Sequence, residues 1–503
     1  MLSTGGTLAS ASCRARPSRF RHAGRVDVDL PIPFGPVSNG EYDPAPLAPH
    51  VEEALRRTQQ LSDETARRLG VGRREFLRSA CGAAAAFLVL GACRDESNGE
   101  PTGGRYDVPE EAVTDTDAAR EAVGGDELVF DVQTHFLAYD LLQDRGASFW
   151  GNAFPQARCG EDDPRACFSI EHYLEELFLR SDTNLAVISA IPIPGPSNPL
   201  SIDDMARARG AAEALCEDER LFLHGQALPS TGALPDALDG MSQLVDDHPI
   251  KAWKVYTHAG GPAWYLDDHD PDAPQVGNAF LERAAELGVT TVCVHKGFSG
   301  GSLFASPVDI GPAAAAHPDI DFVVYHSGYE SGITEGAYSD ATADMGVNRL
   351  ITSLRDAGVG PGQNVYAELG STWFNVMRDP EEAAHTLGKL LTTVGEDRVV
   401  WGTDSIWYGS PQAQLQAFRA FQIGEQLQEQ HGYPALTDDV KAKILGGNSA
   451  ALYEVEPVTT RCDFTRDELE ALRVALPPSR RTYGPETAAE VHALAAEHGW
   501  VGF

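Results

Sequence analysis

Short apolar runs alternate with longer amphipathic stretches from Leu128 to about residue 454 of this 503-residue chain. Runs rich in Val, Ile and Phe are typical of strands, whereas the stretches between them show the period of about 3.6 residues that predicts helices. This alternation indicates parallel strands connected by helices, and so an α/β fold. The predicted strands are Leu128–Phe136, Leu185–Ala190, Phe222–Leu228, Lys251–His258, Thr290–His295, Asp321–His326, Val365–Leu369 and Val399–Asp404.

The number and spacing of these strands predict a (β/α)8 TIM barrel over residues 127–454. Asp379, followed by Pro380, is a good N-cap for one of the intervening helices. A doubly wound sheet would need a Gly-rich phosphate loop after the first strand, and the sequence has none there. The predicted helices include Ala206–Cys216, Ala279–Leu287, Asn348–Ala357 and Glu381–Leu391.

The first predicted strand carries three polar side chains on one face. With a side-chain period of two, Asp131, Gln133 and His135 point the same way. Polar groups in an apolar strand are costly to bury unless they find partners. We therefore expect a metal ion or a hydrogen-bond network at this strand.

Other strands also end in polar side chains that suit a metal site. The carboxyl ends of barrel strands meet at one mouth, where catalytic groups lie. Imidazole and carboxylate groups together suit Zn²⁺ or a similar divalent ion. The strand-end residues are Gln133, His135, Lys254, Tyr256, His258, His295, His326, Glu368 and Asp404, with Trp407 just beyond the last strand.

A signal-like segment precedes the barrel. Arg73 and Arg74 are followed by an apolar run and small residues, over residues 72–93, which is typical of a twin-arginine export signal. The run is too short for a permanent membrane span. Leu90-Gly-Ala-Cys93 resembles a lipobox, so export to the periplasm or cell surface, with a lipid anchor at Cys93, is the expectation. The alternative is an Ala-rich buried helix that begins with a basic turn.

The remaining segments are predicted to be accessory. Residues 1–71 are expected to form a largely irregular head with a helix-like stretch around Glu52–Arg68. Residues 94–126, rich in Asp, Glu, Gly and Thr, have the composition of a tether. Residues 455–503 predict a C-terminal helical extension, with Thr465 and Glu468 as a capping box and a second helix at Pro485–His498. This extension packs on the barrel or on a neighbouring subunit, which leaves a homo-oligomer open.

The net charge bears on the kind of binding partner, and the cysteine content bears on disulfide formation. Lys plus Arg number 39 and Asp plus Glu number 74, so the net charge is −35. Such an acidic surface repels phosphate backbones and anionic lipids, which argues against nucleic acid and favours a small-molecule substrate. Eight cysteines show no C-x-x-C spacing, but Cys159 and Cys167 are candidates for a disulfide if the protein is exported.

Five segments in order resemble one family. Asp131-x-Gln-x-His135, Val294–Gly297, Tyr325–Gly328, Trp401–Asp404 and Ile444–Tyr453 are similar to motifs of the amidohydrolase-related family of metal-dependent hydrolases. That family includes mononuclear-zinc decarboxylases of the aminocarboxymuconate-semialdehyde type. The resemblance extends from about Leu128 to Tyr453.

The resemblance implies a set of roles. His135 and His295 would bind one divalent ion, with Zn²⁺ expected and Mn²⁺ the alternative. Asp404 would bind the ion and accept a proton from water, and His326 would polarise the substrate or act as acid/base. The same residues would serve a non-oxidative decarboxylase.

The first ligand position departs from the family pattern. Relatives carry His-x-His or Glu-x-His at the end of the first strand, whereas this chain has Gln133. An amide oxygen coordinates metals more weakly than imidazole or carboxylate. Gln133 is therefore a weak ligand, a holder of water or a substrate contact. The alternative for the whole chain is a metal-free, degenerate barrel that acts as a binding protein.

Overall fold

The computed structural model describes residues 32, 35–98, 103–138, 157–216, 218–457, 465–476 and 483–498. Its main feature is a parallel sheet in which β2 to β9 follow one another in chain order. The strands are β1 (Gly104–Tyr106), β2 (Phe130–Thr134), β3 (Leu185–Ile188), β4 (Leu221–Gln226), β5 (Ile250–Tyr256), β6 (Thr291–His295), β7 (Asp321–Tyr325), β8 (Val365–Glu368), β9 (Val399–Val400) and β10 (Phe421–Ile423).

The sheet closes into a barrel between its first and last strands. The backbone N–H of Val132 donates to Trp401 O at 3.0 Å, and that of Asp404 donates to Gln133 O at 2.9 Å. Thr134 and Ser405 also form a parallel bridge. The barrel predicted from the sequence is thus confirmed, with all eight predicted strands present. The last one, β9, ends at Val400 rather than at Asp404, because Asp404 adopts a left-handed backbone with φ 61°.

Helices follow most of the strands and cover the outside of the barrel. The four predicted helices named above are confirmed, and Asp379 caps its helix by accepting hydrogen bonds from the backbone of Glu381 and Glu382. The helices are α1 (Pro49–Leu69), α2 (Arg73–Arg78), α3 (Ala80–Asn98), α4 (Thr116–Val123), α5 (Ile170–Leu174), α6 (Ile202–Cys216), α7 (Leu234–Asp247), α8 (Gly277–Glu286), α9 (Ile310–Ala316), α10 (Asn348–Ala357), α11 (Thr372–Val376), α12 (Pro380–Val394), α13 (Gln412–Ala420), α14 (Glu425–His431), α15 (Asp438–Ala442), α16 (Asn448–Leu452), α17 (Arg466–Ala475) and α18 (Ala488–His498).

Apolar side chains fill the barrel below its mouth. Phe130, Val132, Val187 and Val323 belong to one buried cluster inside the barrel, while a larger cluster lies between the strands and the surrounding helices. A filled interior leaves the carboxyl ends of the strands as the place where polar groups gather.

The signal-like segment forms α2 and α3 in the structure. Alanines 83–86 and Phe87 are buried, and α3 packs mainly on α1. Cys93, the expected lipidation site, is buried as well. Across the described ranges, no helix combines the length and apolarity needed to cross a membrane. Export and lipidation stay predictions.

Both segments that flank the signal-like helices contain regular structure. The 21-residue helix α1 of the head includes the helix-like stretch at Glu52–Arg68, and residues 1–31, 33 and 34 lie outside the described part. In the predicted tether, β1 pairs antiparallel with β10, and Asp115 caps α4. The tether prediction fails there because its few apolar residues, among them Val113 and Val123, are spaced to reach the barrel surface and are buried.

Two local predictions are confirmed at the periphery. Thr465 and Glu468 form the predicted capping box of α17, whereas α18 begins at Ala488, three residues after the predicted start. Cys159 and Cys167 form a disulfide with their Cα atoms 5.5 Å apart.

Candidate active site

The backbone turns sharply where three neighbouring strands reach the mouth. His326 after β7, Ser371 after β8 and Asp404 after β9 have φ values of 66°, 56° and 61°. A left-handed conformation costs a residue other than glycine about 1–3 kcal/mol, and such strain concentrates at functional sites. These three turns point to the mouth as the place where side-chain direction matters most.

Asp404 is the centre of a buried hydrogen-bond network. Its Oδ1 lies 3.1 Å from His135 Nε2 and accepts a hydrogen bond from Gln133 Nε2 at 3.0 Å. Its Oδ2 accepts from Ser371 Oγ at 2.5 Å and from Asn39 Nδ2 at 3.1 Å. Burial opposes ionisation, but the hydrogen bond and charge of His135 outweigh it and lower the pKa of Asp404 below its usual value. Asp404 is therefore a carboxylate at neutral pH.

Asp131 holds the end of β9 rather than facing the mouth. Its Oδ1 accepts hydrogen bonds from the backbone N–H groups of Thr403 at 3.0 Å and Gln133 at 3.1 Å, and its Oδ2 accepts from Thr403 Oγ1. Burial raises the pKa of Asp131 to about 7. This carboxyl positions the residue before Asp404, so it supports the site without lining it.

His295 and His326 form the second half of the site. The distance from His326 Nε2 to His295 Nδ1 is 3.2 Å. His326 Nδ1 lies 2.7 Å from Gly370 O and must carry the proton, since a carbonyl only accepts. Burial lowers the pKa of His326 to about 4 and that of His295 well below its usual value. Both imidazoles are consequently neutral and can offer lone pairs.

The predicted substrate residues surround these histidines. The ring of His295 is stacked on Tyr256 at a centroid distance of 4.9 Å, and the ring of His258 lies 4.8 Å away. Trp407 stacks on His135 at 5.6 Å. The structure thus brings all three predicted aromatic side chains to the metal-ligand candidates.

Lys254 and Glu368 lie deeper in the mouth. Lys254 Nζ lies 3.6 Å from the centroid of the Tyr325 ring, and burial lowers its pKa to about 8. Glu368 accepts hydrogen bonds from the backbone of His326 and Gly370, and burial raises its pKa to about 8. A Cβ at Gly402 would lie 1.7 Å from Glu368 Oε1, which explains the glycine two residues before Asp404.

Four polar atoms at this site lack hydrogen-bond partners within the described ranges. A buried polar atom without a partner costs about 1–3 kcal/mol, so several in one place indicate a site built for a group that binds there. The atoms are Gln133 Oε1, Lys254 Nζ, His258 Nδ1 and His295 Nε2.

Two atom pairs at the mouth have the short spacing that ligands of a metal ion show. His135 Nδ1 donates to Ser189 O at 2.8 Å, so Nε2 is the ring atom that faces Asp404 Oδ1. The 3.1 Å and 3.2 Å separations in the His135–Asp404 and His295–His326 pairs compare with about 3.3 Å between two ligands of a tetrahedral zinc ion. Each pair can share a proton in a hydrogen bond, and a divalent ion can take the place of that proton. The donors present therefore fit a divalent metal ion.

The N-terminal head contributes to the site, which the sequence did not reveal. Asn39 contacts Asp404, and Glu41 Oε1 lies 4.0 Å from His295 Nδ1. Ligand atoms of Glu41, His295 and His326 all lie within 4.8 Å of one another. Burial and the charge of Asp404 raise the pKa of Glu41 to about 8. No strand or helix period runs through this part of the head, so no sequence signal indicated it.

Comparisons with known proteins give one family match and several similar solved structures. Residues 205–455 match the model of the Amidohydrolase family. No curated protein matches the chain. Similar solved structures include an uncharacterised TIM-barrel protein from Bordetella bronchiseptica, with 16% identity, 65% of this chain and 98% of that chain covered, and a TM-score of 0.42. Others are 5-carboxyvanillate decarboxylases from Sphingomonas paucimobilis (12% identity; 65% and 99% covered; TM-score 0.40) and, with bound manganese, Novosphingobium aromaticivorans (14%; 65% and 97%; 0.39).

Proposed function

Because this chain belongs to the amidohydrolase-related family and is an enzyme of that superfamily, we propose that it hydrolyses a small molecule with the aid of one divalent metal ion. The observation that carries the proposal is the arrangement around Asp404. An ionised, buried carboxylate lies at the mouth of the barrel beside His135, and the neutral imidazoles of His295 and His326 lie at the same mouth.

The metal would be held by residues from three strand ends. His135, His295 and Asp404 offer two imidazoles and a carboxylate, a donor set that suits Zn²⁺, with Mn²⁺ as the alternative. Gln133 donates through Nε2 to Asp404, while its Oε1 faces no hydrogen-bond donor within the described part of the chain. When bound, such an ion lowers the pKa of a water molecule and polarises the electrophilic group of the substrate.

Side chains of the protein would transfer the protons and hold the catalytic groups in position. Asp404 accepts a proton from the attacking water as the water oxygen bonds to the electrophilic carbon, and the proton passes to the leaving group. Ser371 and Gln133 hold the Asp404 carboxylate through both oxygens. Gly370 fixes the tautomer of His326, so that Nε2 faces the site as a second proton acceptor.

Non-oxidative decarboxylation is the second candidate, and Lys254 favours it. Its buried ammonium group has no hydrogen-bond partner within the described ranges and faces the same mouth as Asp404. A fixed cation there would hold a substrate carboxylate. Product analysis separates the two reactions: decarboxylation releases CO2 from an aromatic or unsaturated acid, whereas hydrolysis cleaves an ester, lactone or amide.

Metal analysis tests the shared basis of both reactions. We expect the purified protein to contain about one equivalent of Zn²⁺ or Mn²⁺ by mass spectrometry, and His135→Ala to lose most of it, because each ligand removed weakens a site of few ligands. His248→Ala, whose imidazole faces Asp203 on the outside, is the control and should keep its metal. A wild-type protein without metal would instead support a degenerate barrel that acts as a binding protein.

We also propose export through the twin-arginine route. The Cys159–Cys167 disulfide supports it, since such bonds persist in oxidising compartments. Replacing Arg73 and Arg74 with Lys should move the protein to the cytoplasmic fraction, because the receptor reads the arginine pair. The same change at Arg67 and Arg68, the adjacent pair in α1, should leave the fraction unchanged. Identical fractions for both double variants would refute export.

A further inference from the structure

A short head segment, residues 37–43, lies across the mouth of the barrel. Asn39 is 1% exposed and Tyr42 is 4% exposed, so the segment is part of the folded interior. Tyr42 stacks on Phe298 with ring centroids 4.6 Å apart, and its hydroxyl lies 3.0 Å from that of Tyr408. Asn375 Nδ2 donates to the same hydroxyl at 3.2 Å. Segment 37–43 is thus anchored on loops that follow three different strands.

The C-terminal extension holds the same segment from outside. The backbone N–H of Ser38 donates to Pro485 O at 2.8 Å. A Cβ at Gly484 would lie 1.9 Å from Ser38 O, so glycine is required for this approach. Asp43 Oδ2 lies 3.0 Å from His492 Nε2 on α18. Head and tail together fix where Glu41 points.

Glu41 points toward the histidines. Its Oε1 lies 4.0 Å from His295 Nδ1, and its Oε2 accepts a hydrogen bond from Asn39 Nδ2 at 2.7 Å. The same Asn39 amide donates to Asp404 Oδ2 at 3.1 Å. One amide thus joins the two carboxyl groups in a single site that also contains the imidazoles of His295 and His326 and the ammonium group of Lys254. A divalent ion bound beside both carboxyl groups would favour the ionised form of each, because a nearby cation stabilises a carboxylate.

The head supplies what the first barrel strand lacks. Gln133 occupies the first ligand position of β2 and turns its donor end to Asp404. A carboxylate is the stronger ligand for a divalent ion. We propose that Glu41 is a ligand of the active-site metal ion, delivered by the head segment in place of the ligand missing at Gln133. This inference rests on the proposed metal site and requires residues 37–43 in the mature chain, so it is compatible with export only where the signal-like segment is not cleaved. Glu41 lies outside the residues 205–455 that match the family model.

Metal binding by the full-length protein tests this assignment. Glu41→Gln keeps the shape of the side chain and removes its charge, and Glu52→Gln makes the same change at an exposed position of α1 in the head. With Zn²⁺ and Mn²⁺ as probes in a competition titration, Glu41→Gln should weaken binding at least 10- to 100-fold, the loss typical even of residues that only support a ligand. Glu52→Gln should bind like the wild type. Glu41→Gln should also change the visible spectrum of the Co²⁺-substituted protein.

Several outcomes separate this inference from its alternatives. Equal metal affinity in the wild type and Glu41→Gln would overturn it while leaving the proposed function intact, whereas a wild type that binds no metal would overturn both. Higher activity of Glu41→Gln with unchanged affinity would show that the segment is a plug, not a ligand donor. A lower melting temperature of metal-free Glu41→Gln would assign the residue to folding, and a mature chain that begins at Cys93 would exclude it from the site.

Discussion

Asp404→Asn should lower kcat/KM by about 10³-fold or more on any substrate that the wild type turns over. The substitution keeps the size of the side chain but removes the carboxylate that takes the proton from water, and general-base catalysis alone contributes about 10²–10⁴-fold. At the proposed metal site, it also replaces a charged ligand by a weaker neutral one. Steady-state kinetics with metal content measured on the same samples would show both effects.

Asp321→Asn is the matched control for this loss. Asp321 begins β7 at the opposite end of the barrel from the mouth, and it is partly exposed. If Asp321→Asn keeps the wild-type kcat/KM while Asp404→Asn loses it, the reaction takes place at the carboxyl ends of the strands. An Asp404→Asn enzyme that keeps a tenth or more of the wild-type kcat/KM would remove Asp404 from the mechanism.

The barrel could be predicted from the sequence because its signals are local. Each strand from β2 to β8 is a run of apolar residues, and the polar groups at the strand ends need only the rule that parallel strands share a mouth. His135, His295, His326 and Asp404 could therefore be assigned to one site without knowing a single distance. The structure places His135 beside Asp404 and His295 beside His326.

The contribution of the head could not be predicted, because it depends on contacts remote in sequence. The Asn39–Asp404 hydrogen bond joins residues 365 positions apart. Composition also gave no guidance for α3, since an Ala-rich signal segment and an Ala-rich buried helix have the same apolar content. Only the packing of α3 on α1 distinguishes the two arrangements in the folded chain.

The second large expected effect is a loss of folding stability on breaking a buried ion pair away from the mouth. Lys389 on α12 donates to Glu335 Oε2 at 2.5 Å and to Asn348 Oδ1 at 2.8 Å, and both charged side chains are 2% exposed. Lys389→Met leaves the Glu335 carboxylate buried without its cation. Removing one partner of such a pair costs about 3–5 kcal/mol, so the free energy of unfolding should fall by that amount in urea titrations.

The double variant Lys389→Met with Glu335→Gln isolates the cause of that loss. A neutral amide at residue 335 can still accept the hydrogen bond from the backbone of Val347, but it no longer leaves a charge buried alone. The double variant should therefore be more stable than Lys389→Met by itself. Lys443→Met, which breaks an exposed pair with Glu396, should give no resolvable change. If Lys389→Met and Lys443→Met lowered the free energy of unfolding equally, burial of the ion pair would not explain the loss.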